Sequence, residues 1–461
     1  MGGRRIAIIG SGQAGLLAAH GLARAKHEVT LYSDRTAEKW LESRPTGTAG
    51  RFAPALAFEK QLGLNHWDDI APKMQGVHLT FSPVVGNRLA TLTGRAPEGS
   101  LNLAIDLRLQ SHRWMTDLPS VGGRVVVENV TVERLDEIAK DNELTIVATG
   151  RGPLAELFAR NAERSVYDKP QRKLAMVIAK GAPLAIEGVP FFCAKFNLFA
   201  DAGEAFWIPY LLKDLTPCWC LLFEAKAGGR MDRFDDCTSA EAVVGRAKEV
   251  IADMIPWDSA WANQLEACDP MGWLIGGVPP TVRVPVGRLP SGRVVMPLGD
   301  TAVSMDPIGG QGANLGNKYA RWIVEAIAKH PEATFDATWM EALFEGFWAD
   351  HGARTVQFNN ILLEPMTAAG KLLLIAQYGT NGIGDSPKQR IANAIVENFM
   401  DPRKHTEAFV DKRVARQLIA NATGGGWRQA FLGGALRIGG KQIGRVFGFA
   451  PKHPSAPTIS A

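Results

Sequence analysis

A chain of 461 residues, 46% apolar and 21% charged, is too long for one simple core and has the composition of a globular protein with two or three lobes. Its formal charge of +4 is uneven: from Lys412 onward there are eight Lys or Arg and no acid, leaving 43 basic against 47 acidic residues in the rest. That balance argues against a nucleic-acid-binding body, and no apolar run reaches the roughly 18 residues that would span a membrane.

The opening stretch, MGGRRIAIIGSGQAG, is broken by glycine too soon to be a signal peptide. Five cysteines without metal-ligand spacing fit a reducing compartment, so a cytoplasmic protein with no metal site is expected. Cys218 and Cys220, flanking Trp219 in an apolar run, read as buried thiols. His66, His78 and His112 lack ligand spacing and read as structural.

In chain order, Ile6 to Ile9 predict a short buried strand, Gly10-x-Gly12-x-x-Gly15 follows directly, and an apolar-periodic helix runs to about Ala25 before a strand from Glu28 to Tyr32. Gly10 permits a tight turn, Gly12 lets backbone approach a pyrophosphate, and Gly15 lets the helix pack on the sheet. Nineteen residues after Gly15 comes Asp34, where an acid commonly bonds a ribose hydroxyl. Ser33, Asp34 and Arg35 share that expected role. Arg44, in the loop after the second strand, and Arg108, in an apolar-periodic helix with Leu107 and Trp114, are fixed cations able to meet the pyrophosphate.

Residues 168–284 alternate apolar and polar positions, as in KLAMVIAKG, EAFWIPYLL and CWCLLFEA, and predict an antiparallel sheet. Phe192, Phe206, Trp207, Tyr210 and Trp219 are its candidates for an aromatic-friendly pocket. Further on, the strand RVVMPL runs into Gly299-Asp300, then a loop with Pro307, Gly309, Gly310 and Gly312, then a helix beginning near Gln311. A second anchoring point so far downstream suits FAD better than NAD, because the flavin must be held at both ends. Asp300 accepts from a ribityl hydroxyl, and the helix aims its N–H groups and about half a positive charge at the flavin. Asp306, before Pro307, is read as orienting the loop. The C-terminal quarter shows helical spacing expected to cap the FAD domain, and Arg437, Lys441 and Arg445 recur in a segment whose six glycines make it a poor autonomous helix.

With GSGQAGL, VTLYSDR at 29–35, AIDLRL at 104–109, TIVATG at 145–150, YDKPQRK at 167–173 and GDTAVSMDPIGGQGAN at 299–314 in this order, the chain resembles the oxygenase component of the styrene and indole monooxygenases. FMDPRKHTEAF at 399–409 extends the likeness. The resemblance implies an α/β fold: a Rossmann-like, p-hydroxybenzoate-hydroxylase-like FAD-binding domain from 1–167 and 285–335, a β-sheet substrate domain at 168–284, C-terminal helices at 336–425, and a basic tail at 426–461.

It also implies a function. Reduced FAD, made by a separate NAD(P)H-dependent flavin reductase and arriving as a diffusible co-substrate, would react with dioxygen through a flavin 4a-hydroperoxide and oxygenate a small aromatic or polycyclic substrate, as a monomer or homodimer. One-component relatives carry Asp-Gly where this chain has Thr149-Gly150-Arg151, which fits the absence of a nicotinamide site. The residues expected around the cofactor are Gly10, Ser11, Gly12, Ala14, Gly15, Ser33, Asp34, Arg35, Arg44, Arg108, Val130, Thr149, Gly150, Asp300, Pro307, Gly312, Ala313 and Asn314. Pro307, Gly309, Gly310 and Gln311 are the expected catalytic backbone at the ring.

Where styrene monooxygenases alternate Asn-x-Val-x-His, this sequence reads Gly47, Ala49 and Arg51, so these three are expected to shape the substrate pocket, with Arg51 meeting an anionic or carbonyl-bearing group. FWIP at 206–209 resembles the Trp-x-Trp-x-Ile-Pro box of halogenases, but Glu204 and Phe206 stand at its tryptophan positions. The alternatives are a single-component aromatic hydroxylase, a flavin-dependent reductase of a polyprenyl-type double bond, and a non-catalytic FAD-binding subunit.

Overall fold

The computed structural model describes residues 3–47, 50–186 and 188–446. Its chain divides into two compact units, the first built from Met1–Asp68, Ile105–Pro170 and Val278–Val356.

The first unit is a six-stranded sheet made from β1 (Arg5–Ile9), β2 (Glu28–Ser33), β3 (Arg124–Val127), β4 (Leu144–Val147), β5 (Gly287–Arg288) and β6 (Val294–Pro297), in the order β5-β6-β4-β1-β2-β3. Strand β1 pairs in parallel with β2 and β4, β2 with β3, and β4 with β6, while β5 runs antiparallel at the edge. Parallel strands buried on both faces need continuous apolar runs, and residues 6–9 of β1 and all of β4 are buried. The helices α1 (Gln13–Arg24), α2 (Ala53–Gln61), α3 (Leu107–Asp117) and α4 (Gly312–Lys329) belong to this unit, and α1 packs against α4. Gly21 allows that approach, since a Cβ there would come within 2.9 Å of Val324.

The second unit contains Asp69–Ala104, Gln171–Gly277 and the residues from Gln357. Residues 69–104, read from sequence within the FAD-binding domain, supply two strands here. Gly76–Ser82 pairs in parallel with Ala194–Phe199, and Ala90–Arg95 runs antiparallel beside it. The rest of the sheet is antiparallel: Ala194–Phe199, Gly203–Leu211, Pro217–Ala225 and Lys173–Lys180 follow in order. Alternation sorts the aromatic residues. Trp207 and Trp219 point into the core with Trp261 and the helix Ala240–Met254, their ring centroids 5.4–5.7 Å from one another. Phe206 and Tyr210 have the opposite parity and lie on the other face. Trp207 and Trp219 are thus core, and Phe192 is exposed. Cys218 and Cys220 are buried thiols, not joined in a disulfide.

The open edge of Ala90–Arg95 is closed by side chains rather than by another strand. Gln377 and Gln389 donate to the carbonyls of Thr91 and Thr93 at 3.1 and 2.9 Å, while Thr380 and Asn393 accept from the amides of Thr93 and Arg95 at 3.0 and 2.8 Å. All four residues belong to this unit, Gln389 and Asn393 on the helix Pro387–Met400, and so does Trp427–Val446, which is helical despite its glycines. Gly434 shows why: a Cβ there would stand 1.9 Å from the carbonyl oxygen of Ile375, so packing rather than propensity holds it. The side chain of Arg445 and residues from Phe447 onward lie outside the described residues. Among the described residues no helix is long and apolar enough to cross a membrane.

Across this sheet runs a polar row, buried at Lys195 and Asp258 and partly buried at His78. Lys195 pairs with Asp258, lies 4.5 Å from the Trp261 ring, and is the register partner of His78. His78 meets Thr93 Oγ1 at 2.8 Å. Burial, then Lys195 and Arg88, push the His78 imidazole down from 6.5 to about 3. The unfolded chain takes up that proton near 6.5 and the folded chain does not, so stability is fully present above that value and is lost as pH falls toward 3. Urea unfolding at about pH 7 and about pH 4.5 should show this loss, and His78→Gln should flatten it.

Candidate functional site

The first sheet changes direction at one place. From β1 the chain adds β2 and β3 on one side and β4 and β6 on the other, so the carboxyl ends of β1 and β4 bound the crevice where open α/β sheets bind ligands. Gly10 lies there at φ +114°, and a Cβ on it would be 2.4 Å from the Ala148 carbonyl oxygen. A Cβ on Gly15 would be 2.2 Å from the Gly10 carbonyl. Gly12 differs: a Cβ there would meet no atom within 4 Å. Packing requires Gly10 and Gly15, whereas Gly12 leaves space.

The helices facing this region start in an unusual way. Thr36, Asp106, Thr131 and Ser239 each cap a helix by accepting a bond from a backbone amide. In contrast, α1 and α4 begin on Gly12 and Gln311 with no side-chain cap and no acid in the first turn. Their first N–H groups and positive dipole ends are left for an anion.

Several predicted residues serve the protein itself. Ser11 is buried, its hydroxyl 2.6 Å from that of Ser33 and accepting from Trp40 Nε1 at 3.0 Å, which ties the glycine loop to the end of β2. Ala14 packs close to Gly299 and Gly316: a Cβ added to either glycine would stand 3.2 or 3.5 Å from its methyl. Asp34 and Arg35 form a two-point ion pair at 2.6 and 3.0 Å, and the guanidinium lies 4.7 Å from the Trp40 ring. Val130 packs against the apolar cluster containing Ile9, Tyr32 and Leu135. Arg108 is fully buried, forks onto Asp106 at 2.6 and 2.9 Å, and donates to the Ser43 carbonyl at 3.1 Å. It braces the loop from which Arg44, an exposed residue, projects.

At the end of β6, Gly299 takes φ +65° and Thr301 donates to the Gly150 carbonyl at 3.0 Å, joining the turns after β6 and β4. Thr149 and Gly150 sit in the second of these turns. Asp300 stays exposed to solvent, although the protein packed around it raises its carboxyl above the usual range against the pull of Arg151 and Arg283. Its Oδ1 lies 3.8 Å from where a Cβ on Gly312 would stand, so this carboxylate and the start of α4 share one corner.

The loop between them is held from within. Asp306 caps the turn Pro307–Gly309 by accepting from Ile308 N at 3.1 Å, and Gln311 Nε2 donates to Gly309 O at 2.7 Å. Ala313 follows in the first turn of α4. Asn314 is the clamp: it donates to Gly310 O at 2.6 Å and Gly50 O at 3.0 Å, and it accepts from Phe52 N at 2.7 Å.

Of the three expected pocket residues, Ala49 lies outside the described residues and Gly47 is partly exposed. Arg51 is the correction. It is fully buried and pairs with Glu59 at 2.7 Å, so it does not meet a substrate. Glu59 accepts from Asn317 at 2.7 Å, and Asn317 accepts from Gln13 at 2.7 Å. Sequence reading missed Glu59, Asn317 and Gln13. The one available signal was an acid inside the apolar helix PALAFEKQ. Among the described residues, no group of three or more His, Cys, Asp or Glu is placed to hold a metal ion.

A family model, "Styrene monooxygenase A putative substrate binding domain", matches residues 150–260. Styrene monooxygenase StyA of Pseudomonas fluorescens is 26% identical over 421 residues, covering 88% of this chain and 95% of that protein. The flavin-dependent halogenase CmlS superposes with a TM-score of 0.59 at 15% identity, over 91% of this chain and 77% of that one. The p-nitrophenol 4-monooxygenase PnpA of Pseudomonas putida superposes at 0.53 and 15% identity, over 92% and 98%. These likenesses establish a p-hydroxybenzoate-hydroxylase-like fold.

The two kinds of glycine should separate in experiment. Gly15→Ala should lower the melting temperature, because its methyl collides with backbone. Gly12→Ala should fold as well as the parent yet weaken flavin binding by about tenfold or more, the usual cost of one misfitting methyl group. Thermal melts and titration calorimetry check both.

Proposed function

We propose that this chain, similar to styrene monooxygenase StyA over 88% of its length, is a flavin-dependent monooxygenase that receives reduced FAD from a separate flavin reductase and oxygenates an aromatic alkene or indole-like substrate with dioxygen. One oxygen atom enters the substrate and the other leaves as water, the two electrons coming from the reduced flavin.

The observation that carries this reading is the pair of uncapped helix starts: α1 beside the vacant space at Gly12, and α4 beside Asp300. A third helix of this unit, α2, also starts uncapped, on Phe52, but has Pro54 in its first turn; the starts of α1 and α4, beside Gly12 and Asp300, suit a long cofactor bearing a diphosphate at one end and an electron-poor ring at the other. In this reading the Gly10–Gly15 backbone and Arg44 meet the diphosphate. Asp34 and Arg35, with Ser33 bracing the turn, flank the ribose. Asp300 accepts from the ribityl chain. Pro307, Gly309, Gly310, Gln311, Gly312 and Ala313 present backbone to the ring, and Asn314 keeps that backbone still. The positive end of α4 favours an anionic reduced flavin.

FAD, when bound in reduced form, supplies the electrons that activate dioxygen. The protein's share is to align ring and substrate and to keep water from the reacting atoms. Thr149-Gly150-Arg151 stands where one-component relatives carry an Asp-Gly pair, which supports delivery of the electrons from outside. The name of the Pseudomonas relatives supports an aryl alkene as substrate.

Two measurements test the proposal. Chemically reduced FAD, mixed with the protein, dioxygen and a panel of vinyl arenes, indoles and thioethers, should give oxygenated product. NADH or NADPH alone should leave bound oxidised flavin unbleached in stopped flow. Rapid bleaching would mean that the chain reduces its own flavin, and product under strict anaerobiosis would mean that it is a reductase.

A further inference from the structure

The segment from Gly50 to Phe52 is extended and pinned to the ring loop at both ends by Asn314, through the Gly50 carbonyl and the Phe52 amide. In extended backbone successive side chains point to opposite faces. The inward face belongs to Arg51, sealed against Glu59 with both side chains no more than 3% exposed. Gly50 and Phe52 therefore share the other face. There a Cβ on Gly50 would meet no atom within 4 Å, and the partly exposed Phe52 ring reaches to 3.6 Å from a Cβ placed on Gly310. Gly310 holds φ +63° in the middle of the ring loop, so an aromatic edge lies directly against the backbone assigned to the flavin ring.

We propose that Gly50 and Phe52 are the specificity-determining pair of this segment: the Phe52 ring is a wall for a flat, neutral aromatic substrate, and the space left by Gly50 admits its bulk. The inference rests on the ring-loop reading given above. It also bears on substrate charge. The nearby cation is neutralised by Glu59 and faces away, so this wall offers a carboxylate nothing and accepts an uncharged arene by apolar and edge-to-face contact. Phe52 is well placed for this because it stands at the start of α2, where helix geometry fixes its backbone.

The test uses the full chain with chemically reduced FAD and dioxygen, comparing styrene, 2-vinylnaphthalene and 4-vinylbenzoate. The unaltered protein should prefer the two neutral arenes. Phe52→Ala should raise KM for styrene about tenfold, with Phe52→Leu intermediate. Gly50→Val should penalise vinylnaphthalene more than styrene. FAD affinity measured by calorimetry should move little in all three variants, which a merely structural role would not predict. Unchanged KM values and an unchanged ranking of substrates overturn the inference while leaving the oxygenase reading intact. Preference for vinylbenzoate that disappears in Arg51→Met also overturns it. Failure of the unaltered chain to oxygenate any of the three sinks the parent reading and this one together.

Discussion

The first unit depends on a requirement that helices rarely leave unmet: the opening amides of α1 and α4 have no side chain to receive them. Several other helices of the chain place Ser, Thr or Asp at this position, whereas α2 also starts without a side-chain cap, on Phe52, with Pro54 in its first turn. Each uncapped start leaves donors that only water or a ligand can satisfy, together with about half a positive charge. The surrounding features follow from that requirement. Gly12 is bare, Gly299 bends the chain through φ +65°, and the Asp300 carboxylate remains in contact with solvent.

A site made largely of backbone needs something to keep the backbone in place. Here that work falls to amide and ionic side chains away from the open space. Asn314 saturates its oxygen and nitrogen on three backbone groups. Below it, Arg51, Glu59, Asn317 and Gln13 form a chain of contacts from the segment beside the ring loop to the first residue of α1. Burying such groups costs more than burying apolar ones unless every partner is present. Their value is a single defined arrangement of the two helix starts.

Much of this was legible in the sequence, and the limits have physical causes. The strand–glycine–helix–strand pattern and the Gly-Asp turn announce themselves because backbone geometry demands particular residues at fixed spacing. Arg51 was misjudged because its role depends on Glu59, eight positions away on a helix, and no local pattern reveals which face of a two-residue strand is buried. Arg108 looked like a ligand for phosphate, yet its partner was Asp106, two residues before it at the helix cap. Trp207 and Trp219 looked like pocket residues, and strand parity sent both into the core. Tertiary partners decided each case, and sequence spacing does not carry them.

The sheet edge of the second unit has a consequence of its own. A ladder finished by glutamine, asparagine and threonine side chains is satisfied without being covered by another strand, and every group that finishes it comes from residues 377–393. Those residues act as a stopper against self-recruitment: a chain ending before Gln377 would present Ala90–Arg95 as a naked template to any extended segment, including that of a second copy. The C-terminal region therefore completes a sheet, in addition to whatever it contributes to chemistry.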